Sequence, residues 1–268
     1  MPLKRNWVDM TWEDFAGADT AAWIAVLPLA AVEQHGPHLP LGTDAFIADA
    51  YLARARELLP EALPVTFLPL QAVGTSTEHR AFPGTLTLSA ETFVRAVTET
   101  AESVHRAGVR KLVIANGHGG NVAALDLVAL DLRVRLGMLA VTCSFAHLGY
   151  PDGVFSPEET THGIHGGDIE TSMMLAARPE QVRTERAQNF APASVALERE
   201  FKWLGAGAPA GFGWMSQDLN PSGAIGDATL AKAAKGEAAI AYGAKAFVEL
   251  LGEVHRFDLT RLGKGPIA

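Results

Sequence analysis

Short apolar runs rich in β-branched residues alternate along this chain with longer, alanine-rich segments of mixed polarity. Residues 22–29 (AWIAVLPL) read as a buried strand, and residues 64–70 (PVTFLPL), 110–115 (RKLVIA) and 138–145 (MLAVTCSF) as further strands. Residues 44–59 predict a helix that Pro60 stops. Ser89 is placed to N-cap a helix to about Ala107, with Glu91 in its first turn and Gly108 at its end. Asn121 is placed to cap the next, which runs to Leu136 and stops at Gly137. A shorter helix is expected over residues 168–177 and a long one over 228–251. Strands alternating with helices predict an α/β fold with a mostly parallel sheet covered on both faces.

In such sheets ligands bind beyond the carboxyl ends of the strands. The polar clusters fall there. EQHGPH follows the first strand, GTSTEH the second and NGHGGN the third. Three loops arriving at one edge would make one site. Residues 205–226 are glycine-rich, carry Trp214, and have the length and irregularity of a flap over that edge.

Length and composition bound the possibilities. At 268 residues the chain is read as one domain over 1–268, and 48% apolar residues against 19% charged ones allow a sizeable core. Lysine and arginine are scattered and outnumbered 22 to 30, which speaks against nucleic acid as a partner. The lone Cys143, inside an apolar run, excludes an internal disulfide and a cysteine zinc site. The first residues lack a signal-peptide core, and the longest apolar run, 21–32, falls short of the roughly 20 residues a membrane crossing needs. No membrane partner and a cytoplasmic location are therefore expected.

Of nine histidines, His105 and His255 fall on helices and are read as structural. His35, His38, His79, His118 and His165 sit in loops broken by glycine or proline, where function concentrates. Each candidate has an ordinary alternative: Asp44 a helix cap, Glu170 a complement to a helix dipole, Glu33 and His35 a solvated turn, His118 a loop residue bonded to backbone. Together they change the balance, because carboxylates and imidazoles recur at one predicted edge. That donor set suits Zn²⁺, Mn²⁺ or Fe²⁺ better than calcium. Glu33 and His35, two apart, share one side of an extended segment, and the glycine and proline turns bring Asp44 back towards them. A carboxylate such as Asp44 can bridge two ions about 3.5–4 Å apart that share a hydroxide. Gly117, Gly119 and Gly120 fit neither the dinucleotide nor the P-loop pattern, and G-x-S-x-G is absent.

Four stretches, LPLAAVEQHGPHLPLGTD, GTSTEHRAFPGTLTLS, NGHGGN and HGGDIETS, with a fainter GAIGDATLAKAAKGE, resemble the creatininase family of metal-dependent amidohydrolases. The resemblance covers roughly residues 24–240 in the family's order. It implies a three-layer α/β/α fold, two divalent cations per chain (zinc first, manganese or iron next) and hydrolysis of a small, possibly cyclic, amide or formamide C–N bond. It implies one ion held by Glu33, Asp44 and His118, and another by His35, Asp44 and a further carboxylate. In creatininase that carboxylate lies two residues after the NGH histidine; here the position is Gly120, and Glu170 is inferred to fill the gap. His165 matches the catalytic histidine, with Glu78 in reserve as proton carrier. Ser76, His79, Gly119 and Gly120 match substrate-lining positions. A homo-oligomer, often a hexamer, is also implied. Other members trim a peptide during cofactor maturation or act on pyrimidine formamides. A metal- or metabolite-binding member without turnover is the alternative from another class.

Overall fold

The computed structural model describes residues 3–265. Its first half is a run of strand–helix units: β1 (Ile24–Leu29), α1 (Thr43–Leu58), β2 (Val65–Phe67), α2 (Ala90–Arg106), β3 (Lys111–Asn116), α3 (Val122–Leu136) and β4 (Leu139–Ser144). The strands form one parallel sheet in the order β2-β1-β3-β4. β1 and β3 lie at its centre and are buried along their whole length, which is why they read as unbroken apolar runs.

Alternate residues of each strand feed two cores. Ile24, Val26, Val65, Phe67, Val113 and Ala115 face α1 together with two later helices, α5 (Asp168–Ala177) and α8 (Ala233–Arg256). Ala25, Leu27, Leu29, Leu112 and Ile114 face α2 and α3. The result is the expected three-layer α/β/α arrangement. α4 (Pro157–His162) precedes α5, and between α5 and α8 the chain forms short pieces: β5 (Asn189–Phe190), α6 (Ala193–Glu200), β6 (Leu204–Gly205), β7 (Ala210–Gly211), α7 (Ser216–Leu219) and β8 (Gly226–Asp227).

The connection after β1 runs to α1 on one face of the sheet, and the connection after β3 runs to α3 on the other. Neighbouring strands whose chains part in this way leave a crevice at their carboxyl ends, the usual ligand position in an open α/β sheet. Glu33, His35, Asp44 and His118 all fall just beyond it.

The expected terminators operate. Ser89 Oγ accepts from the Thr92 amide, Gly108 takes φ +93°, and Gly137 ends α3 at φ +65°. Two expectations are corrected. Asn121 makes no capping bond; its side-chain amide is engaged elsewhere, as described below. The last helix begins at Ala233 and not at 228, because Asp227 caps the separate turn Ala228–Leu230 and Lys232 is extended, its amide donating to Ser172 Oγ (3.0 Å). α8 then runs on to Arg256, where buried Lys111 donates to the carbonyls of Val254, His255 and Phe257 at 2.8, 2.7 and 2.8 Å. Cys143 is buried as expected, which pushes its thiol up to about 11. Among the described residues no helix is long and apolar enough to cross a membrane.

Candidate metal centre

Beyond β1 the chain turns sharply through Gly36, at φ +73°, and returns through Pro40 and Gly42 to start α1 with Asp44 in its first turn. This places Asp44 between two imidazoles. Its Oδ1 lies 3.2 Å from His35 Nε2 and its Oδ2 3.2 Å from His118 Nδ1. His118 comes from the NGHGGN loop after β3, which one side chain secures. Asn121 Oδ1 accepts from the Thr75 amide (3.0 Å), while its Nδ2 donates to Asn116 Oδ1 (3.0 Å) and the Ala30 carbonyl (3.3 Å). That single amide ties together the loops after β1, β2 and β3, and this need overrides its capping role.

Glu33 is completely buried, with Oε1 3.2 Å from His79 Nε2 and 3.7 Å from His165 Nδ1, and Oε2 3.2 Å from His118 Nε2. None of these contacts has hydrogen-bond alignment, so both Glu33 oxygens and Asp44 Oδ2 are buried without a hydrogen-bond partner. Glu170, from α5, brings Oε2 to 3.8 Å from His35 Nε2 and accepts from the Gly166 amide.

The hydrogen-bond partners assign the tautomers. His35 Nδ1 donates to the Glu33 carbonyl (3.0 Å), leaving Nε2 towards Asp44 and Glu170. His118 Nε2 donates to the Thr75 carbonyl (2.9 Å), leaving Nδ1 towards Asp44. His165 Nε2 donates to the Gln34 carbonyl, leaving a lone pair on Nδ1 towards Glu33. His79 differs. Gln34 Oε1 accepts from the Gly36 amide (2.9 Å), which turns its Nε2 to the Gly223 carbonyl (3.0 Å) and His79 Nδ1 (2.7 Å). An amide nitrogen can only donate, so His79 Nδ1 accepts and Nε2–H faces Glu33. His79 therefore turns an N–H towards Glu33, without hydrogen-bond alignment, and keeps no lone pair for a cation.

Among the described residues, three sets of donor atoms, each within 4.8 Å of one another, could hold a cation: Glu33, His35 and Asp44; His35, His165 and Glu170; and Glu33, His79 and His165. The tautomer of His79 disfavours the last.

Electrostatics follow the same geometry. Burial pulls His35 and His118 down, but the carboxylates beside them, Asp44 and Glu170 for His35 and Glu33 and Asp44 for His118, outweigh it and raise them to about 9 and about 10. Burial raises Glu33 to about 8 against the pull of His118, and also raises Glu170. For Asp44 burial is outweighed by the two imidazoles, and its carboxyl lies well below the usual range. Burial and the neighbouring imidazoles drive His79 down to about 3 and hold His165 well below its ordinary value, so both are neutral.

Of the expected substrate-lining residues, His79, Gly119 and Gly120 border a cavity of about 300 Å³ that also meets Glu33, Glu78, His165 and Trp214. Ser76 does not. It is fully buried behind the cavity wall, its amide donating to Thr87 Oγ1 (2.8 Å) and its side chain beside Glu33. His38 is not with the cluster either: it bonds Thr171 Oγ1 (2.9 Å) and stacks on Phe190. At Gly120 a Cβ would lie 2.5 Å from Glu78 Oε1, His118 Nε2 and the Thr75 carbonyl, so glycine is required. Glu78 thus fills the space beside Gly120, while Glu170 lies next to His35. Residues 205–226 are not one flap. Ile225 is fully buried and pairs with His165 as a β-bridge, and Trp214 reaches the cavity.

Gln34 and Glu159 were not legible as site residues. Glu159 is buried between Gly163, Gly167 and Gly226, where a Cβ at each would lie 2.2, 2.3 and 3.1 Å from it. Its Oε1 accepts from the Ile169 amide (3.1 Å) and its Oε2 from that of Asp227 (3.4 Å). It thereby braces the loop of His165 against the start of α5. The glycine spacing of HGIHGG was the one available signal, and it does not say which side chain the glycines admit.

Comparison with known proteins agrees with this architecture. Residues 8–251 match the creatininase (creatinine amidohydrolase) family model. A mycofactocin precursor peptide peptidase of Mycobacterium tuberculosis is 37% identical over 223 residues, 79% of this chain and 77% of that protein. The creatinine amidohydrolase of Pseudomonas putida is 28% identical over 207 residues, 69% of this chain and 76% of that one. A solved structure described as "Creatininase Mn" superposes with a TM-score of 0.74 at 25% identity, covering 95% of this chain and all of the other. The chain belongs to the creatininase family of amidohydrolases.

Proposed function

We propose that this chain hydrolyses an amide C–N bond with two divalent cations held by Glu33, His35, Asp44, His118 and Glu170. The observation that carries the reading is the set of buried carboxylate oxygens without hydrogen-bond partners, two on Glu33 and one on Asp44, among imidazole nitrogens whose other ring atoms are already bonded. Burying unpaired anionic oxygens is costly, and a cation is the natural partner. Asp44 offers one oxygen to each of two imidazoles, the arrangement a bridging ligand needs. The carboxylate–imidazole set places zinc first, with manganese or iron as alternatives. Bound cations supply Lewis acidity and a water nucleophile active at neutral pH.

The chain's own residues do the rest. Asp44 and Glu33 offset the cationic charge. Glu78, His79 and Gly119 border the space beside the cluster where an amide would lie. The net reaction adds OH to the acyl carbon and a proton to the departing nitrogen. His165, neutral and with Nδ1 free, takes the proton and returns it; Glu78 is the second candidate for that transfer. The alternative, a binding protein without turnover, lacks a supporting observation beyond Gly120. A peptide amide is the second reading of the substrate, favoured over a small ring by the 37% identity to a peptide peptidase.

The test is elemental analysis of protein purified without chelator, paired with Asp44→Ala and His165→Ala. About two cations in the wild type, loss of metal in Asp44→Ala and metal without turnover in His165→Ala are the expected results. Full metal content in Asp44→Ala refutes the bridging role, and loss of metal in His165→Ala makes His165 a ligand.

A further inference from the structure

The cation cradle is open on two sides. Besides the cavity under Trp214, a separate cleft of about 310 Å³ reaches Asp44, His118 and Glu170 from between the turn Phe145–Leu148 and α4. Ile164 stands between the two openings and lines both. On the Trp214 side the space continues into a groove of about 440 Å³, bordered by Phe201 and Trp203 and sharing Ile164 and Trp214 with the first cavity. Three spaces that share wall residues, each the size of a substantial ligand group, are far more than a small cyclic amide fills.

The cleft has a definite chemistry. Tyr51 and Phe145 stack in its wall with centroids 4.7 Å apart, and Ile47, Tyr150, Ile169 and Met173 complete an apolar lining. Tyr51 is held rigidly: a Cβ on Gly243 would lie 2.4 Å from its ring, so α8 packs flush against it. Among the described residues no lysine or arginine lines the cleft, and its acidic members are Asp44 and Glu170. Asn116, His118, Ser144, His147 and Thr160 are its other polar members; apart from His118 at the cradle, none carries the permanent positive charge that a phosphate or a free carboxylate calls for. An uncharged apolar side chain finds its partners in the apolar lining, with its amide brought to the cradle at the cleft's inner end.

We infer that this cleft is a substrate subsite for an apolar, preferably aromatic, side chain, and that the substrate is an extended amide of peptide type lying across the cradle, from the cleft to the Trp214 groove. The inference rests on the hydrolase reading for the bond that is cut, but the cleft's occupancy is testable without turnover. Ala146 and Thr160 line the cleft, and both are exposed and outside the proposed ligand set. Ala146→Trp and Thr160→Trp fill the cleft without replacing a core residue.

The experiment measures binding of N-acetyl-phenylalanine amide and N-acetyl-glycine amide to the metal-loaded protein by calorimetry, for the wild type and both variants. Circular dichroism and metal content serve as checks on folding. Burial of an aromatic side chain predicts that the phenylalanine amide binds about 10- to 100-fold more tightly than the glycine amide. Either tryptophan variant should erase that preference while leaving the weak glycine amide unchanged. Equal binding of the two amides to the wild type, or a preference that survives both variants, overturns the subsite and leaves the hydrolase reading standing. Binding as expected with no hydrolysis of a peptide amide would instead sustain the side-chain subsite and overturn the peptide-type substrate.

Discussion

Glu159→Ala is the most informative perturbation of the architecture around the centre, because Glu159 touches no proposed ligand yet braces the start of α5, which carries Glu170, against the loop of His165. The substitution strands the Ile169 and Asp227 amides, at 3.1 and 3.4 Å from the carboxylate, in a space closed by Gly163, Gly167 and Gly226. An unsatisfied buried donor costs about 1–3 kcal/mol, and the longer bond counts for less. Burial itself penalises the Glu159 charge, raising its pKa, so its removal returns part of the loss. The net expectation is a destabilisation of about 1–3 kcal/mol. Glu159→Gln should fall between, since its carbonyl can still accept from Ile169 while its amide nitrogen opposes the Asp227 donor. The sign of the pH effect follows. A carboxyl whose folded pKa is raised holds its proton more tightly when folded, so its contribution is full below the unfolded value and is lost as pH rises through the folded one. Glu159→Gln should remove that part of the slope. Urea denaturation across pH, with metal affinity measured by competition against a chromogenic chelator, reads both effects. Metal binding should weaken in the alanine variant as the His165 loop and the start of α5 lose their common brace. A variant as stable as the wild type, with undiminished metal affinity, would refute the reasoning.

Further outcomes are expected. Metal uptake near neutral pH should release protons, because His35 and His118 are raised to about 9 and about 10 without metal and must give up a proton to become ligands. Calorimetry in buffers of different ionisation enthalpy counts them, and affinity should fall as pH falls; uptake without proton release would show both rings neutral in the free protein and refute the raised values. Lys111→Met should leave three carbonyls at the end of α8 without their cationic donor and cost about 2–4 kcal/mol in urea denaturation, with metal content unchanged.

The sheet was legible because burial on both faces makes Ile24–Leu29 and Lys111–Asn116 unbroken apolar runs, and because glycines at 108 and 137 mark helix ends by conformation alone. The candidate ligands were legible because carboxylates and imidazoles concentrate in loops that a parallel sheet must bring to one edge. What remained hidden depends on contacts distant in sequence. Asn121 read as a cap because capping is local, whereas its partners Thr75 and Ala30 lie in other loops. Gln34 sits between two prominent residues, and its influence on His79 and His165 appears only once those rings are beside it. Ser76 could not be told from its neighbours because one residue of register separates a buried hydroxyl from a cavity wall.

The amide of Asn121 has a consequence for cation choice. By fastening three strand-end loops to each other, it fixes how far Glu33, Asp44 and His118 stand apart before any ion arrives. Discrimination by ionic radius would then depend on a side chain that never meets the ion, and loosening that rivet should make the protein less particular about which metal it accepts.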